Sequence, residues 1–184
     1  MSEHRWKPSV TVAAIIEEQG RFLLVEEETP DGLRLNNPAG HLEPGESMLQ
    51  GVVREALEET GRQFEPDALL GVYLARMHRE ADPAEDITYL RFAYRGRVGE
   101  PMPGAVLDAG IVRTVWMTPD EVRASVARHR SPMVLRCMED YLRGQRAPLQ
   151  PAQHRVGDDD RRHRGQGELR DPRAQRRQVL AEDH

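Results

Sequence analysis

The segment GHLEPGESMLQGVVREALEETG, residues 40–61, carries the most informative pattern of the chain. Its centre predicts an α-helix from Met48 to Thr60. Ser47 is a candidate N-cap with Gln50 three residues later, which together form the signature of a capping box. Gly61 stands where a helix commonly ends in a left-handed residue. Both ends of this helix are therefore encoded by neighbouring residues.

The predicted helix has one acidic face and one apolar face. Glu55, Glu58 and Glu59 occupy positions i, i+3 and i+4, so their side chains point to the same side. Like charges at these spacings repel one another, and three convergent carboxylates suit a hard cation such as Mg²⁺ or Mn²⁺. Arg54 precedes the cluster and can hold one carboxylate in place. The spacing alone leaves an ordinary solvated acidic face as the alternative.

The same segment resembles the Nudix box, GX5EX7REUXEEXGU, in which U is a bulky aliphatic residue. The fixed positions are matched by Gly40, Glu46, Arg54, Glu55, Glu58, Glu59 and Gly61. Two positions depart from the pattern: Ala56 replaces the first aliphatic residue, and Arg62 places a charge at the last one. By this resemblance the chain is identified as a member of the Nudix hydrolase superfamily. The resemblance implies an α/β (α+β) fold, with a mixed sheet in a Nudix-type α/β/α sandwich.

The resemblance also implies a role for each matched residue. The metal ligands would be three box carboxylates and one carbonyl group: Glu55, Glu58, Glu59 and Gly40. Arg54 would orient Glu55 or a neighbouring carboxylate, and Glu46 would anchor the loop to the helix. The catalytic base would be Glu55 or Glu59, or would lie on a separate loop such as the one that holds Asp108.

The flanking segments narrow the resemblance to NudJ-type phosphatases over residues 6–149. The segments that carry it include KPSVTVAAII (7–16), NNPAGHLEPGES (36–47) and YLRFAYRGRV (89–98). The resemblance implies Mg²⁺-dependent hydrolysis of small diphosphates by water attack on phosphorus, which releases phosphate and a monophosphate. The implied substrates are thiamine diphosphate, its hydroxymethylpyrimidine diphosphate precursor, and nucleoside di- or triphosphates. A catalytically idle Nudix domain, used as a nucleotide sensor or protein-interaction module, is the alternative; loss of box carboxylates would favour it, and all of them are present.

Four residues outside the carboxylate cluster are candidates for binding substrate: His41, Asn37, Arg91 and Arg34. His41 follows Gly40 and either contacts phosphate or stabilises its own loop. Asn37, like Asn36 before it, either reads a pyrimidine edge or hydrogen-bonds its own backbone. Arg91 lies between apolar residues of a predicted strand, where an unpaired charge is costly, so it would hold phosphate if it faces a cleft. Arg34 has a similar but weaker claim.

The rest of the chain predicts strands that alternate with a few helices. Strands are expected over 9–17, 21–27, 69–77, 87–98 and 111–117, and further helices after Thr118-Pro119 and Ser131-Pro132. Glu18-Gln19-Gly20 is typical of a hairpin turn. Glu26-Glu27-Glu28 is expected to be a solvated strand edge that resists pairing with further strands.

Composition sets the outer limits of the interpretation. The chain has 184 residues, a formal net charge of −5 and a hydrophobic fraction of 38%, which fits one folded domain and excludes wholesale disorder. No apolar stretch reaches the length of a membrane span. No signal peptide is visible, and the one cysteine, Cys137, indicates a reducing, cytoplasmic compartment. The expected partner is a small molecule rather than a membrane or a nucleic acid, and the expected assembly is a monomer or homodimer.

Two regions are expected along the chain. Residues 1–149 would form the Nudix domain, and residues 150–184 a disordered, Arg- and Asp-rich C-terminal tail, because the tail lacks aromatic residues and periodic apolar positions. Nucleic-acid binding by such a basic tail is the alternative function. Acids interleaved with the arginines, as in Asp158-Asp159-Asp160, weaken that alternative.

Overall fold

The computed structural model describes residues 6–79 and 82–149; the expected tail over 150–184 lies outside the described residues. The strands are β1 (Ser9–Glu18), β2 (Arg21–Thr29), β3 (Gly32–Asn36), β4 (Ala39–His41), β5 (Phe64–Arg79), β6 (Asp82–Val98), β7 (Ile111–Met117) and β8 (Ala147–Pro148). The α-helices are α1 (Met48–Thr60), α2 (Pro119–Ala124) and α3 (Met133–Leu142), with a short 3-10 helix at Val126–Arg128.

The strands form a mixed sheet in the order β3-β2-β1-β6-β5-β8, with β4 paired to β1 and β7 paired to β2. β1 and β6 run parallel, whereas the other pairs are antiparallel. β1 and β2 are joined by the expected turn, in which Gln19 and Gly20 have φ values of 52° and 78°, and they pair at Glu17 and Glu18. Beyond that point β1 pairs with β4 and β6 while β2 pairs with β3 and β7. The two central strands therefore diverge and leave a gap between them.

β1 is buried on both faces and separates two helical layers. Because successive side chains of a strand point to opposite faces, Val12, Ala14 and Ile16 pack with Val52 and Ala56 of α1. Ala13 and Ile15 share the other cluster with residues of α2 and α3: Val122, Val134, Cys137 and Met138. The expected α/β/α sandwich with a mixed sheet is confirmed.

Helix α1 has the bounds that its sequence predicts. The Ser47 hydroxyl accepts from the Gln50 N–H at 3.2 Å, and the Ser47 N–H donates to Gln50 Oε1 at 2.8 Å. Gly61 ends the helix with φ of 65°. The charge that replaces the last aliphatic box position is half-buried: Arg62 donates to the Gly99 carbonyl at 2.8 Å and lies over the ring of Trp116.

The expectation of a solvated strand edge at Glu26-Glu27-Glu28 is wrong for Glu26 and Glu27, which pair with β3 on one side and β7 on the other; Glu28 is exposed as expected. β2 is an interior strand between β3 and β7, and Glu26 is only 4% exposed. Its carboxylate accepts from Arg113 at 2.7 Å and also pairs with Arg128. The sequence pattern could not show this, because both arginines come from elements far along the chain. The short strands β3 and β4 were likewise not expected.

Candidate active site

One guanidinium organises the acidic face of α1. Arg54 donates to both oxygens of Glu46, at 2.7 and 3.1 Å, and to the His41 carbonyl at 3.0 Å. Its Nη1 donates to Glu55 and to Glu58, each at 2.8 Å. The hydrogen bonds to Glu46 are the main cause that holds the pKa of Arg54 above its usual range. Arg54 therefore offsets the repulsion among the carboxylates and fixes two of them in position.

Glu46 ties the preceding loop to α1. Besides its bonds to Arg54, its Oε1 accepts from the Glu43 N–H at 2.7 Å. A Cβ atom at Gly51 would lie only 2.9 Å from that oxygen, so the glycine lets the loop approach the helix closely. These contacts hold the loop in place and leave the chemistry to other residues.

Glu55 and Glu59 are the two buried acids of the cluster. Glu59 is 8% exposed and accepts from the Ala39 N–H at 2.8 Å. Burial raises the pKa of Glu59 to about 8, and the nearby charges of Glu55, Glu27 and Asp108 act in the same direction. Burial also raises the pKa of Glu55, although the hydrogen bond from Arg54 opposes the rise. Burial thus disfavours the ionised form of both carboxyl groups, and a nearby cation would favour it.

Gly40 lets the backbone of β4 touch one of these acids. A Cβ atom built on Gly40 would lie 2.2 Å from Glu55 Oε2 and 2.3 Å from the other carboxylate oxygen. Such distances are far below van der Waals contact, so residue 40 must lack a side chain if Glu55 is to keep its position. The Glu55 carboxylate therefore lies directly against the Cα atom of Gly40.

The donor set fits a hard divalent cation by its chemistry. Glu55, Glu58 and Glu59 each have one oxygen bonded to Arg54 or Ala39. Over the described residues, the second oxygen of each accepts no hydrogen bond from the protein. Three carboxylates and the Gly40 carbonyl supply the oxygen ligands that Mg²⁺ or Mn²⁺ takes. Within 6–79 and 82–149 no three acidic, His or Cys side chains are already placed closely enough to hold a metal ion together, so the three carboxylates would have to adjust to bind one.

A cavity of about 270 Å³ adjoins this cluster, in the gap between β1 and β2. Its lining includes Thr11, Glu27, Asn36, Gly40, His41, Glu59, Met77, Tyr89, Arg91, Arg130, Ser131 and Met133. Arg91 is 5% exposed, and its Nε and Nη1 have no hydrogen-bond partner among the described residues. Burial lowers the pKa of Arg91. A buried guanidinium with free donors is a binding group for an anion.

The structure brings some sequence candidates to the cavity and leaves others outside. His41 lines it, with its ring 6.1 Å from that of Tyr89. Asn37 is buried but absent from the lining, whereas Asn36 is present, because neighbouring residues of an extended chain point to opposite sides. Arg34 donates to the Leu33 carbonyl at 3.1 Å and also lies outside the lining.

Other residues of the site were not found from the sequence. Thr11, Glu27 and the adjacent pair Arg130 and Ser131 also line the cavity. They come from β1, β2 and the loop before α3, so no local spacing links these three places. The candidate base Asp108 is also outside the lining; its N–H donates to the Glu58 carbonyl at 3.0 Å, which attaches its loop to α1.

Comparison with known proteins gives the family. The model of the NUDIX domain matches residues 5–137. The chain belongs to the Nudix family. Phosphatase NudJ of Escherichia coli strain K12 is 34% identical to this Nudix chain over 145 residues, which cover 79% of the chain and 90% of NudJ. A NUDIX hydrolase from Nitrosomonas europaea is 50% identical, with a TM-score of 0.71, and the match covers 78% of this chain and 94% of that one.

A MutT NUDIX hydrolase from Burkholderia pseudomallei shows the same fold at 24% identity, with a TM-score of 0.59 over 73% of this chain and 98% of that one. With the complete set of box carboxylates and the NudJ relationship, this Nudix protein is a phosphohydrolase similar to the NudJ phosphatases. In the part of the chain that the structure describes, no helix is long and apolar enough to span a membrane.

Proposed function

We propose that this Nudix enzyme is a Mg²⁺-dependent hydrolase of small molecules that carry a diphosphate. The class includes thiamine diphosphate, hydroxymethylpyrimidine diphosphate and nucleoside di- or triphosphates. A diphosphate yields phosphate and a monophosphate in one hydrolysis, whereas a triphosphate reaches the monophosphate by losing two phosphates in succession. One observation carries the proposal: the unpaired, buried guanidinium of Arg91 shares a cavity with Gly40 and Glu59 of the acidic cluster. Such a cavity offers a diphosphate both a fixed positive charge and a cation site.

Each residue of the cluster has a distinct task in this reaction. The cation would be held by Glu55, Glu58, Glu59 and the Gly40 carbonyl, where it would supply Lewis-acid activation and a more acidic water. Arg54 keeps Glu55 and Glu58 oriented. The proton of the attacking water passes to a carboxylate, for which Glu59 is favoured over Glu55 because Glu59 is the one that lines the cavity. Arg91 and His41 then bind phosphate oxygens.

Phosphate release from a panel of diphosphates tests the proposal. We expect turnover of at least one compound with Mg²⁺ and none when the cation is removed with a chelator. The variant Glu59→Gln should lower kcat by about 10²–10⁴, the usual loss of a general base. Glu65→Gln, at an exposed position of β5, is the matched control and should keep the wild-type rate. A panel without any turnover would favour the alternative, an idle sensor or interaction module.

We also propose a cellular location, a partner and an assembly for the enzyme. It would act in the cytoplasm on a small-molecule partner, as a monomer or homodimer. The division into a catalytic domain over 1–149 and a separate region over 150–184 stays a prediction. Because β8 pairs with β5 at Ala147 and Pro148, the catalytic domain is expected to extend at least to these residues.

A further inference from the structure

Strand β5 has a free edge beside helix α3. Its inner edge pairs with β6, whereas its outer edge pairs only with β8, at Ala68 and Leu69. From Gly71 to Met77 the β5–β6 ladder is regular, and no described strand occupies the outer edge there. This stretch therefore presents a row of unpaired backbone N–H and C=O groups, which is a template for a further strand.

Apolar side chains surround this free edge. Val72 and Leu74, on one face of β5, are 51% and 67% exposed. A groove of about 670 Å³ opens between β5 and α3, and Leu135 of α3 lines it. The one charged residue of the edge, Arg76, donates to Asp86 at 2.6 Å. The edge thus lacks the unpaired charges and prolines that normally prevent a strand from pairing with another chain.

Helix α3 contributes two opposite charges to the same groove. Arg136 and Glu139 both line it and lie one helical turn apart. Arg136 also pairs with Asp140 of its own chain at 3.5 Å, and Glu139 accepts from Arg123 at 2.8 Å. When two such helices run antiparallel about a twofold axis, Arg136 of each faces Glu139 of the other. The surface is thus complementary to a second copy of itself, as an isologous interface requires.

We propose that this surface is the interface of a homodimer, in which the β5 strands of two copies pair antiparallel and join their sheets into one. The inference does not depend on the proposed function, because it rests on the edge of the sheet and not on the acidic cluster. Leu74 is the middle residue of the stretch 71–77 and lies on the twofold axis, with Tyr73 of one copy opposite Ala75 of the other. Because the Tyr73 hydroxyl donates to Asp140 at 2.9 Å, the charged turn of α3 lies beside the same axis.

The C-terminal residues of the chain itself are less suited to this surface. β8 runs antiparallel to β5, so at Leu149 the chain is heading towards Asp67 and away from Gly71. Residues 150–184 are rich in Arg and Asp and lack periodic apolar positions, whereas a strand beside this edge needs alternating apolar side chains. A second copy of β5 supplies them.

Sedimentation equilibrium of the full chain tests the proposal. We expect a reversible monomer–dimer equilibrium in wild type. Leu74→Lys should raise the dimer dissociation constant by at least about tenfold, because two like charges would meet at the axis. Val106→Lys, at an exposed apolar position of the loop before β7, is the matched control and should keep the wild-type constant. A wild type that stays monomeric at every soluble concentration, or a Leu74→Lys variant that dimerises like wild type, would overturn the inference.

Two further measurements identify the occupant of the edge. Arg136→Glu should weaken the dimer, and combining it with Glu139→Arg should restore it, because the ion pair between copies forms again with its signs exchanged. The amides of 71–77 should become protected from hydrogen exchange as the protein concentration rises. Equal protection in the monomer would assign the edge to residues 150–184 and refute the dimer interface, and a double variant as weak as Arg136→Glu would refute the antiparallel helices.

Discussion

Contacts of single atoms define the catalytic end of the cavity. At Gly40 the backbone touches the Glu55 carboxylate without room for a side chain, and at Arg91 a buried cation has free donors. The close approach at Gly40 requires a residue without a side chain. The unpaired charge of Arg91 lowers the stability of the folded protein. A substitution at either residue should therefore change activity without lowering stability.

Gly40→Ala should abolish most of the activity while the protein still folds. The added methyl group would lie 2.2 Å from Glu55, so the carboxylate must leave its present position against residue 40. We expect kcat/KM to fall by about 10²-fold, or roughly 2.7 kcal/mol, with circular dichroism unchanged. Gly99→Ala is the matched control, because a methyl group there meets nothing within 4 Å. Near wild-type activity of Gly40→Ala would contradict the close approach.

Arg91→Met should raise KM strongly and leave the melting temperature unchanged or higher. The variant removes the cation expected to bind phosphate and, with it, the cost of an unpaired buried charge. We expect KM for a diphosphate to rise by at least tenfold in steady-state assays. Arg97→Met, on the same strand but exposed, should change neither quantity. A large drop in melting temperature for Arg91→Met would show that Arg91 stabilises the fold instead.

At the scale of elements, prediction from the sequence succeeded where structure is local. The bounds of α1 follow from Ser47, Gln50 and Gly61, which act within the helix itself. The strands β3 and β4 were missed, because five and three residues carry little periodicity and their pairing depends on distant partners. The residues that line the cavity divide in the same way. Glu59 was predicted from helical spacing, whereas Glu27 and Thr11 come close to Glu59 only once the sheet has formed.

The acidic face of α1 should make the stability of the protein depend on Mg²⁺. Arg54 offsets only part of the repulsion among the carboxylates, which leaves a site for a cation. A cation that binds the folded state raises the free energy of unfolding by about 2.7 kcal/mol at a hundredfold excess over Kd. We expect the melting temperature to rise with millimolar Mg²⁺ in wild type and in Glu65→Gln. In Glu55→Gln the response should be lost, whereas the melting temperature without Mg²⁺ should stay similar. An identical response in all three proteins would place the cation elsewhere.

At the scale of the whole molecule, one buried carboxylate links three elements that lie far apart along the chain. Glu26 of β2 binds Arg113 of β7 and Arg128 of the 3-10 helix. The hydrogen bond from Arg113 is the largest cause that lowers the pKa of Glu26, with both arginine charges adding to it and burial opposing it. The sequence showed Glu26 only as one of three consecutive acids, since long-range pairing leaves no local pattern.

Glu26 should make stability depend on pH. Because its folded pKa lies below the unfolded value of about 4.3, its stabilisation is present above that value and is lost as pH falls through the folded pKa. Glu26→Gln should lower the free energy of unfolding at pH 7 by about 1.5–3 kcal/mol, the range for a hydrogen bond to a charged group. Urea titrations should show this difference shrinking below pH 4. A difference that persists undiminished there, or one equally present in Glu28→Gln, would disprove the assignment.

The divergence of β1 from β2 places the two walls of the cavity on different strands. The groups that attract a diphosphate lie on β4, β6 and α1, while Glu27 and Asn36 lie across the gap on β2 and β3. The two walls of the cavity therefore come from different strands. An exchange of side chains on β2 or β3 would reshape one wall of the cavity and leave Gly40 and the carboxylates of α1 where they are.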